Sequence, residues 1–230
     1  MGFSMTVIAG VVLTILSCVF GTMFLMARKT ENHWHSLWLK VLGSLAFVMV
    51  GVVMAFYAGE GIAWIIVTGL IFGLIGDLLL GFRTIYTEHK KAFFYSGGLS
   101  FTVGHIFYIF ALSKAEGSMT KLTVAAFIVL MIFAVIYALK RQKGTASSFI
   151  SGSVYIGFVA VVAAMAISAA VHNFTTANLI FAVGGFSFFL SDNFLGAYSF
   201  GPVKSRELNI VLHITYYVAQ LAIGWSIMFI

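Results

Sequence analysis

Eight runs of apolar residues follow one another with only short links between them, over approximately 5–27, 36–58, 61–83, 92–113, 121–139, 147–171, 176–199 and 208–229. About 20 residues of α-helix, rising about 1.5 Å each, match the ~30 Å hydrocarbon core of a bilayer. In that solvent every backbone N–H and C=O must be satisfied within the protein, which leaves helices or closed barrels. Long apolar runs without alternation select helices. The sequence therefore predicts an all-α membrane protein, a bundle of eight transmembrane helices in a single transmembrane domain over residues 1–230, with too little chain outside the runs for a soluble domain.

Composition agrees: 61% of the 230 residues are hydrophobic and 9% charged, against about 25% charged in soluble domains. The single cysteine, Cys18, lies in the first run, so no intrachain disulfide is expected. A net charge of +6 would suggest nucleic acid in a soluble protein. Here the basic residues gather in the links and form no stripe with exposed aromatics, so no nucleic-acid partner is expected.

Those basic residues report orientation instead. Arg28, Lys29 and Lys40 are counted with the first link, Arg83, Lys90 and Lys91 with the third, Lys140, Arg141 and Lys143 with the fifth, and Lys204 and Arg206 with the seventh, whereas the even links hold Lys114 and Lys121. The positive-inside rule then places the odd links in the cytoplasm and both termini outside, in a bacterial inner membrane or the endoplasmic reticulum.

Two aspartates interrupt the apolar runs, in Gly76-Asp77-Leu78-Leu79-Leu80-Gly81 and Ser191-Asp192-Asn193-Phe194-Leu195-Gly196. A carboxylate at the centre of a membrane helix costs about 2.5–3.5 kcal/mol on insertion scales, so it is seldom kept without a use. A shift of 115 residues lays Gly69 on Gly184, Asp77 on Asp192, Gly81 on Gly196, Phe101 on Tyr216 and His105 on Gln220. The shift is half the chain and fits two four-helix repeats, 1–115 and 116–230, of the same orientation. At about 1.5 Å per residue, Asp77 is expected about 9 Å and Asp192 about 12 Å inside the cytoplasmic ends of their helices.

Other polar residues fall at helical spacing. His213, Tyr216, Tyr217 and Gln220 form a stripe on the eighth run, which has to face protein or water. His213, close to the interface, has the ordinary reading of a side chain that snorkels. Gly97, Phe101, His105 and Tyr108 make a comparable face on the fourth run, and Gly69, Gly73 and Asp77 share a face of the third. Glycines there admit a close neighbour. The loop histidines lack metal-ligand spacing, and nucleotide-binding and serine-hydrolase signatures are missing.

The order of four motifs carries a resemblance: Gly69-Leu70-Ile71-Phe72 leading into Gly76-Asp77, Gly104-His105-Ile106-Phe107-Tyr108, Phe188-Phe189-Leu190-Ser191-Asp192, and Thr215-Tyr216-Tyr217-Val218-Ala219-Gln220. On these the chain resembles the YhhN-like lysoplasmalogenase family of eight-span membrane enzymes. Gly196 stands where an alanine is common in that family, and the motifs do not reach His213. Members of the family hydrolyse the vinyl-ether bond of lysoplasmalogens to a fatty aldehyde and a glycerophospho-ethanolamine or glycerophospho-choline. The resemblance implies the same ether-bond hydrolase here, with a lysophospholipid substrate, the bilayer as surroundings, and no cofactor or metal.

Vinyl-ether cleavage begins with protonation of the β carbon and ends with capture of the resulting cation by water. It needs one protonated acid and one ionised carboxylate, as paired carboxylates provide in glycoside hydrolysis. Asp77 and Asp192 are the expected catalytic pair, with His105, Tyr108, Tyr217 and Gln220 orienting water or stabilising charge. Arg83, Lys204 and Arg206 are candidate contacts for the substrate phosphate. Two rival readings use the same residues: a proton-coupled transporter or channel, and a zinc-dependent intramembrane lipid hydrolase built on Asp77, His105, Asp192 and His213.

Overall fold

The computed structural model describes residues 2–28, 32–143, 145–202 and 204–230, with the side chains of 146–148 excepted. Its helices are α1 (Phe3–Ala27), α2 (His33–Ala58), α3 (Gly61–Ile85), α4 (Lys90–Leu112), α5 (Lys121–Arg141), α6 (Ala146–His172), α7 (Thr176–Phe200) and α8 (Arg206–Ser226), with short 3-10 turns at Thr87–His89 and Ile227–Phe229. Among the described residues there is no strand, and eight helices are long and apolar enough to cross a membrane. The all-α, eight-helix class expected from the apolar runs is what the chain adopts.

Local chemistry sets the ends. Asn32 accepts the His35 N–H at 3.0 Å and starts α2 at His33, the usual service of an N-cap side chain. Gly59, at φ 72°, closes α2 in the left-handed conformation that favours glycine, so α3 begins two residues later at Gly61. Thr120 and Thr175 cap α5 and α7 through their hydroxyls.

The chain forms two compact units, one comprising Met1–Tyr108 with Ile223–Ile230 and the other Ile109–Ala222. In the first, α1 meets α2 through the Ser17 hydroxyl, which donates to the Gly43 carbonyl at 2.9 Å. The end of the chain packs here: Trp225 donates from Nε1 to the Thr14 hydroxyl at 2.9 Å, and Gly224 lies against Gly51 and Phe47. Helices α3 and α4 meet through glycines. Phe101 lies over Gly76 and Tyr108 over Gly69, while a β-carbon at Gly104 would stand 2.9 Å from the Gly69 carbonyl oxygen. Without a strong hydrophobic force between helices in lipid, such small-residue contacts bring backbones into van der Waals range. Ser100 adds a hydrogen bond across the same seam, to the Phe72 carbonyl at 2.7 Å.

In the second unit α6 carries the small residues. Ala160, Ala163, Ala164, Ala166 and Ala169 are fully buried, and Gly185 of α7 approaches the backbone of Ala163. Aromatic contacts join α5 to α7, Phe133 with Phe189 and Tyr137 with Phe194. Serine-to-carbonyl bonding recurs between α7 and α8, where Ser191 donates to Leu212 at 2.9 Å. Outward positions such as Leu99, Ile128 and Val154 are exposed apolar side chains, as lipid-facing surfaces require.

Candidate functional site: two buried aspartates

In the first unit Asp77 sits on α3 eight residues before the helix end at Ile85, about 12 Å of rise. Asp192 is likewise eight residues before the end of α7 at Phe200. The expected difference in depth disappears, because α3 runs two residues further than its apolar run.

Asp77 is buried, and both of its carboxylate oxygens are engaged from α2. The Lys40 ammonium is 2.7 Å from Oδ1, and the Ser44 hydroxyl is 2.5 Å from Oδ2. Ser44 also lies 3.0 Å from the Lys40 carbonyl oxygen; its one proton goes to the charged, nearer acceptor. Lys40 and Ser44 are one helical turn apart, so a single face of α2 supplies both donors. The Phe24 ring of α1 lies 5.9 Å from the Lys40 ammonium, within reach of a cation–π attraction.

This corrects the reading of Lys40 as a topology signal in the first link. With α2 starting at His33, Lys40 lies in its third turn, buried and ion-paired. The orientation count loses one residue from the cytoplasmic side, and Lys29 of the same link lies outside the described residues. The shared face of Gly69, Gly73 and Asp77 is also revised. Gly69 and Gly76 meet α4 and Asp77 meets α2, because one residue beyond Gly76 turns the side chain by about 100°.

On α4, His105 and Tyr108 are both buried, with ring centroids 5.8 Å apart at an interplanar angle of 76°. Nδ1 of His105 is 2.7 Å from the Phe101 carbonyl oxygen. A carbonyl only accepts, so Nδ1 carries the hydrogen, and in the neutral imidazole Nε2 is the acceptor, turned away from its own helix. The same tie holds on α8, where His213 Nδ1 is 2.7 Å from the Asn209 carbonyl oxygen. His213 is buried, which replaces the expectation that it snorkels.

In the second unit Asp192 is buried and accepts at Oδ2 from the Tyr155 hydroxyl of α6 at 2.5 Å. Its neighbour Ser191 bonds α8, which fixes the rotation of α7 and leaves Asp192 turned toward α6. Gln220 donates to the Tyr216 hydroxyl at 3.0 Å. Tyr216 in turn contacts Tyr217 and Phe188 edge to face, with centroids 5.7 Å apart in each pair. The polar stripe on α8 is buried as its spacing requires, while Ile214 and Val218 between its members are exposed.

Of the residues singled out in the sequence, His105 is brought against Tyr108, and Tyr217 and Gln220 meet through Tyr216. The direct partners of the aspartates, Lys40, Ser44 and Tyr155, were not among them. A signal existed for each. Lys40 lies within an apolar run, where a cation is as costly as an anion, and Ser44 follows it by one turn. Tyr155 is Lys40 shifted by 115 residues. Among the described residues no three His, Cys, Asp or Glu side chains are grouped so as to hold a metal ion.

A model of the YhhN family matches residues 36–227. This stretch contains both aspartates, their partners Lys40, Ser44 and Tyr155, and the histidine and tyrosine of α4, and the chain belongs to that family. Searches of curated proteins and of solved structures found no match.

Proposed function

We propose that this YhhN-family protein is a membrane-embedded lysoplasmalogenase, in which Asp77 and Asp192 act as general acid and general base on the vinyl-ether bond of a lysophospholipid. The observation that carries the reading is the pair of carboxylates, each buried eight residues from the end of its helix and each held by a side-chain donor from the preceding helix. Structural glue between helices needs only amides or hydroxyls; two buried acids are costly unless their charge or proton is used. The resemblance drawn from the sequence supplies the reaction, and the apolar helices offer the fatty chain a place to lie.

The chemistry follows from the bond. A carboxylic acid gives its proton to the β carbon of the vinyl ether, whose π electrons form the new C–H bond. The resulting oxocarbenium ion is captured by water, which loses a proton to a carboxylate and leaves a hemiacetal. Breaking the C–O bond to glycerol releases the fatty aldehyde and the glycerophospho head. His105, with its Nε2 lone pair, and Tyr108, Tyr217 and Gln220 orient water or balance charge. The same reading takes the chain as one transmembrane domain of two four-helix repeats, with odd-numbered links in the cytoplasm.

The test is aldehyde release from a lysoplasmalogen by the purified full chain. Asp77→Asn and Asp192→Asn are each expected to lower kcat by about 10²–10⁴-fold, the usual worth of a general acid or base. Near-wild-type rates in both variants would sink the proposal. Run in heavy water, the reaction should place one deuterium on the aldehyde carbon next to the carbonyl; an unlabelled product would rule out protonation of the β carbon.

A further inference from the structure

The glycine one turn beyond each aspartate is covered differently in the two units. Gly81 follows Asp77 and Gly196 follows Asp192 by four residues, a spacing that lays one position above the other on the same face of a helix. In the first unit a β-carbon at Gly81 would meet Leu37, a buried apolar side chain of α2. In the second, a β-carbon at Gly196 would stand 2.6 Å from Nε2 of Gln142, which is half-buried. Backbone bonds put the amide there. The chain leaves α5 at Gln142 in an extended conformation, φ −112° and ψ 141°. The next N–H, that of Lys143, donates to the Phe200 carbonyl at 2.9 Å, one of the last carbonyls of α7, which lack partners in their own helix. A β-carbon at Gly201 would collide with the Arg141 carbonyl, so glycine lets the link lie close. From this anchorage beside residues 200 and 201, the Gln142 side chain runs back along α7 to Gly196, one turn short of Asp192. Polar ends of long side chains near a membrane surface ordinarily turn outward to water. This one turns inward, toward a buried acid.

We propose that Gln142 is a specificity-determining residue of the Asp192 site, its amide hydrogen-bonding the free sn-2 hydroxyl of the lysophospholipid. The assignment rests on the hydrolase reading above and concerns the second unit alone. An amide both donates and accepts, as a hydroxyl does, so the two groups match in either sense. Four residues of helix are about 6 Å of rise. The sn-2 hydroxyl is two carbons removed from the oxygen of the vinyl ether, so a substrate with that ether at Asp192 and its glycerol toward the end of α7 brings the hydroxyl to the amide. The fatty chain then runs the other way, along the apolar body of the helices. A diacyl lipid carries an ester at the same carbon. It has no proton to give, and its second chain would fall where Gln142 sits. Leu37, over the corresponding turn of the first unit, offers a hydroxyl nothing.

Binding is read with an uncleavable probe, a 1-O-alkyl lysophosphatidylcholine, and with its analogue lacking the sn-2 hydroxyl. The purified full chain is held in nanodiscs of diacyl phosphatidylcholine, which offer the same head group in excess, so saturable binding reads the lyso form. The wild type is expected to bind the hydroxyl probe about tenfold more tightly than the deoxy analogue, since a half-buried amide is otherwise left without that bond. Gln142→Leu should lose the preference and bind the deoxy analogue as the wild type does. Gly196→Ala, whose new methyl displaces the amide, should shrink the preference too, and should add nothing in a Gln142→Leu background. Equal affinity of the wild type for both probes, or a preference kept in Gln142→Leu, would overturn the proposal. If Gln142→Leu bound neither probe, Gly196→Ala would decide alone, an undiminished preference there counting against the amide. Aldehyde release is measured on the same samples, with KM for a lysoplasmalogen expected to rise about tenfold in Gln142→Leu at little-changed kcat, the mark of binding shared by ground and transition states. The expected probe pattern without aldehyde release from the wild type would refute the hydrolase and leave the amide as a lysophospholipid contact. Aldehyde release with KM and probe affinities unmoved in both variants would refute the amide's role and leave the hydrolase.

Discussion

At the scale of single residues the ion pair between Lys40 and Asp77 dominates. Removing one partner of a buried pair strands the other, at a cost of about 3–5 kcal/mol, whereas replacing both with neutral groups is often tolerated. Lys40→Met should therefore melt well below wild type in detergent, and Lys40→Met/Asp77→Asn should melt above Lys40→Met. A double variant less stable than either single one would show that the two side chains do not act as a pair. Asp77 and Asp192 were legible in the sequence because acids stand out among apolar residues. Lys40 was hidden by its place near the start of a helix, where a basic residue reads as a marker of orientation. Tyr155 was hidden by ordinariness: a tyrosine in an apolar run carries no excess cost, and only its contact with Asp192 gives it meaning.

At the scale of elements, the eight helices were legible almost to their ends, since a run that must cross hydrocarbon announces its own length. Which face of a helix meets which neighbour was less so. Gly69 and Asp77 look alike on a helical projection, but the glycine serves α4 and the aspartate serves α2. The sharpest case is on α4. A β-carbon at Gly104 would lie 2.9 Å from the Gly69 carbonyl oxygen, while Gly98 has nothing within 4 Å. Gly104→Ala should therefore cost about 1–3 kcal/mol by forcing α3 and α4 apart. Gly98→Ala should be neutral or stabilising by up to about 1 kcal/mol, through helix propensity. Thermal unfolding of the two variants side by side checks this, and equal melting temperatures would contradict the packing described for the α3–α4 seam.

At the scale of the whole molecule, the charge of the links predicts an orientation that labelling tests. In a Cys18→Ala background, Lys91→Cys and Lys204→Cys should react with a membrane-impermeant maleimide only from the cytoplasmic side, and Lys114→Cys only from the other. The reverse pattern would invert the assignment of the odd links. The first unit also has an unusual composition in sequence: it contains Ile223–Ile230, after more than a hundred residues of the second. Trp225 reaches Thr14, and Ile227 lies against Gly51. Chains emerge from the ribosome N-terminus first, at about 5–20 residues per second, and usually fold in that order. Here the helices that enter the membrane first wait for Ile223–Ile230, so the nascent Lys40–Asp77 unit is completed only after the whole of the second unit has been synthesised.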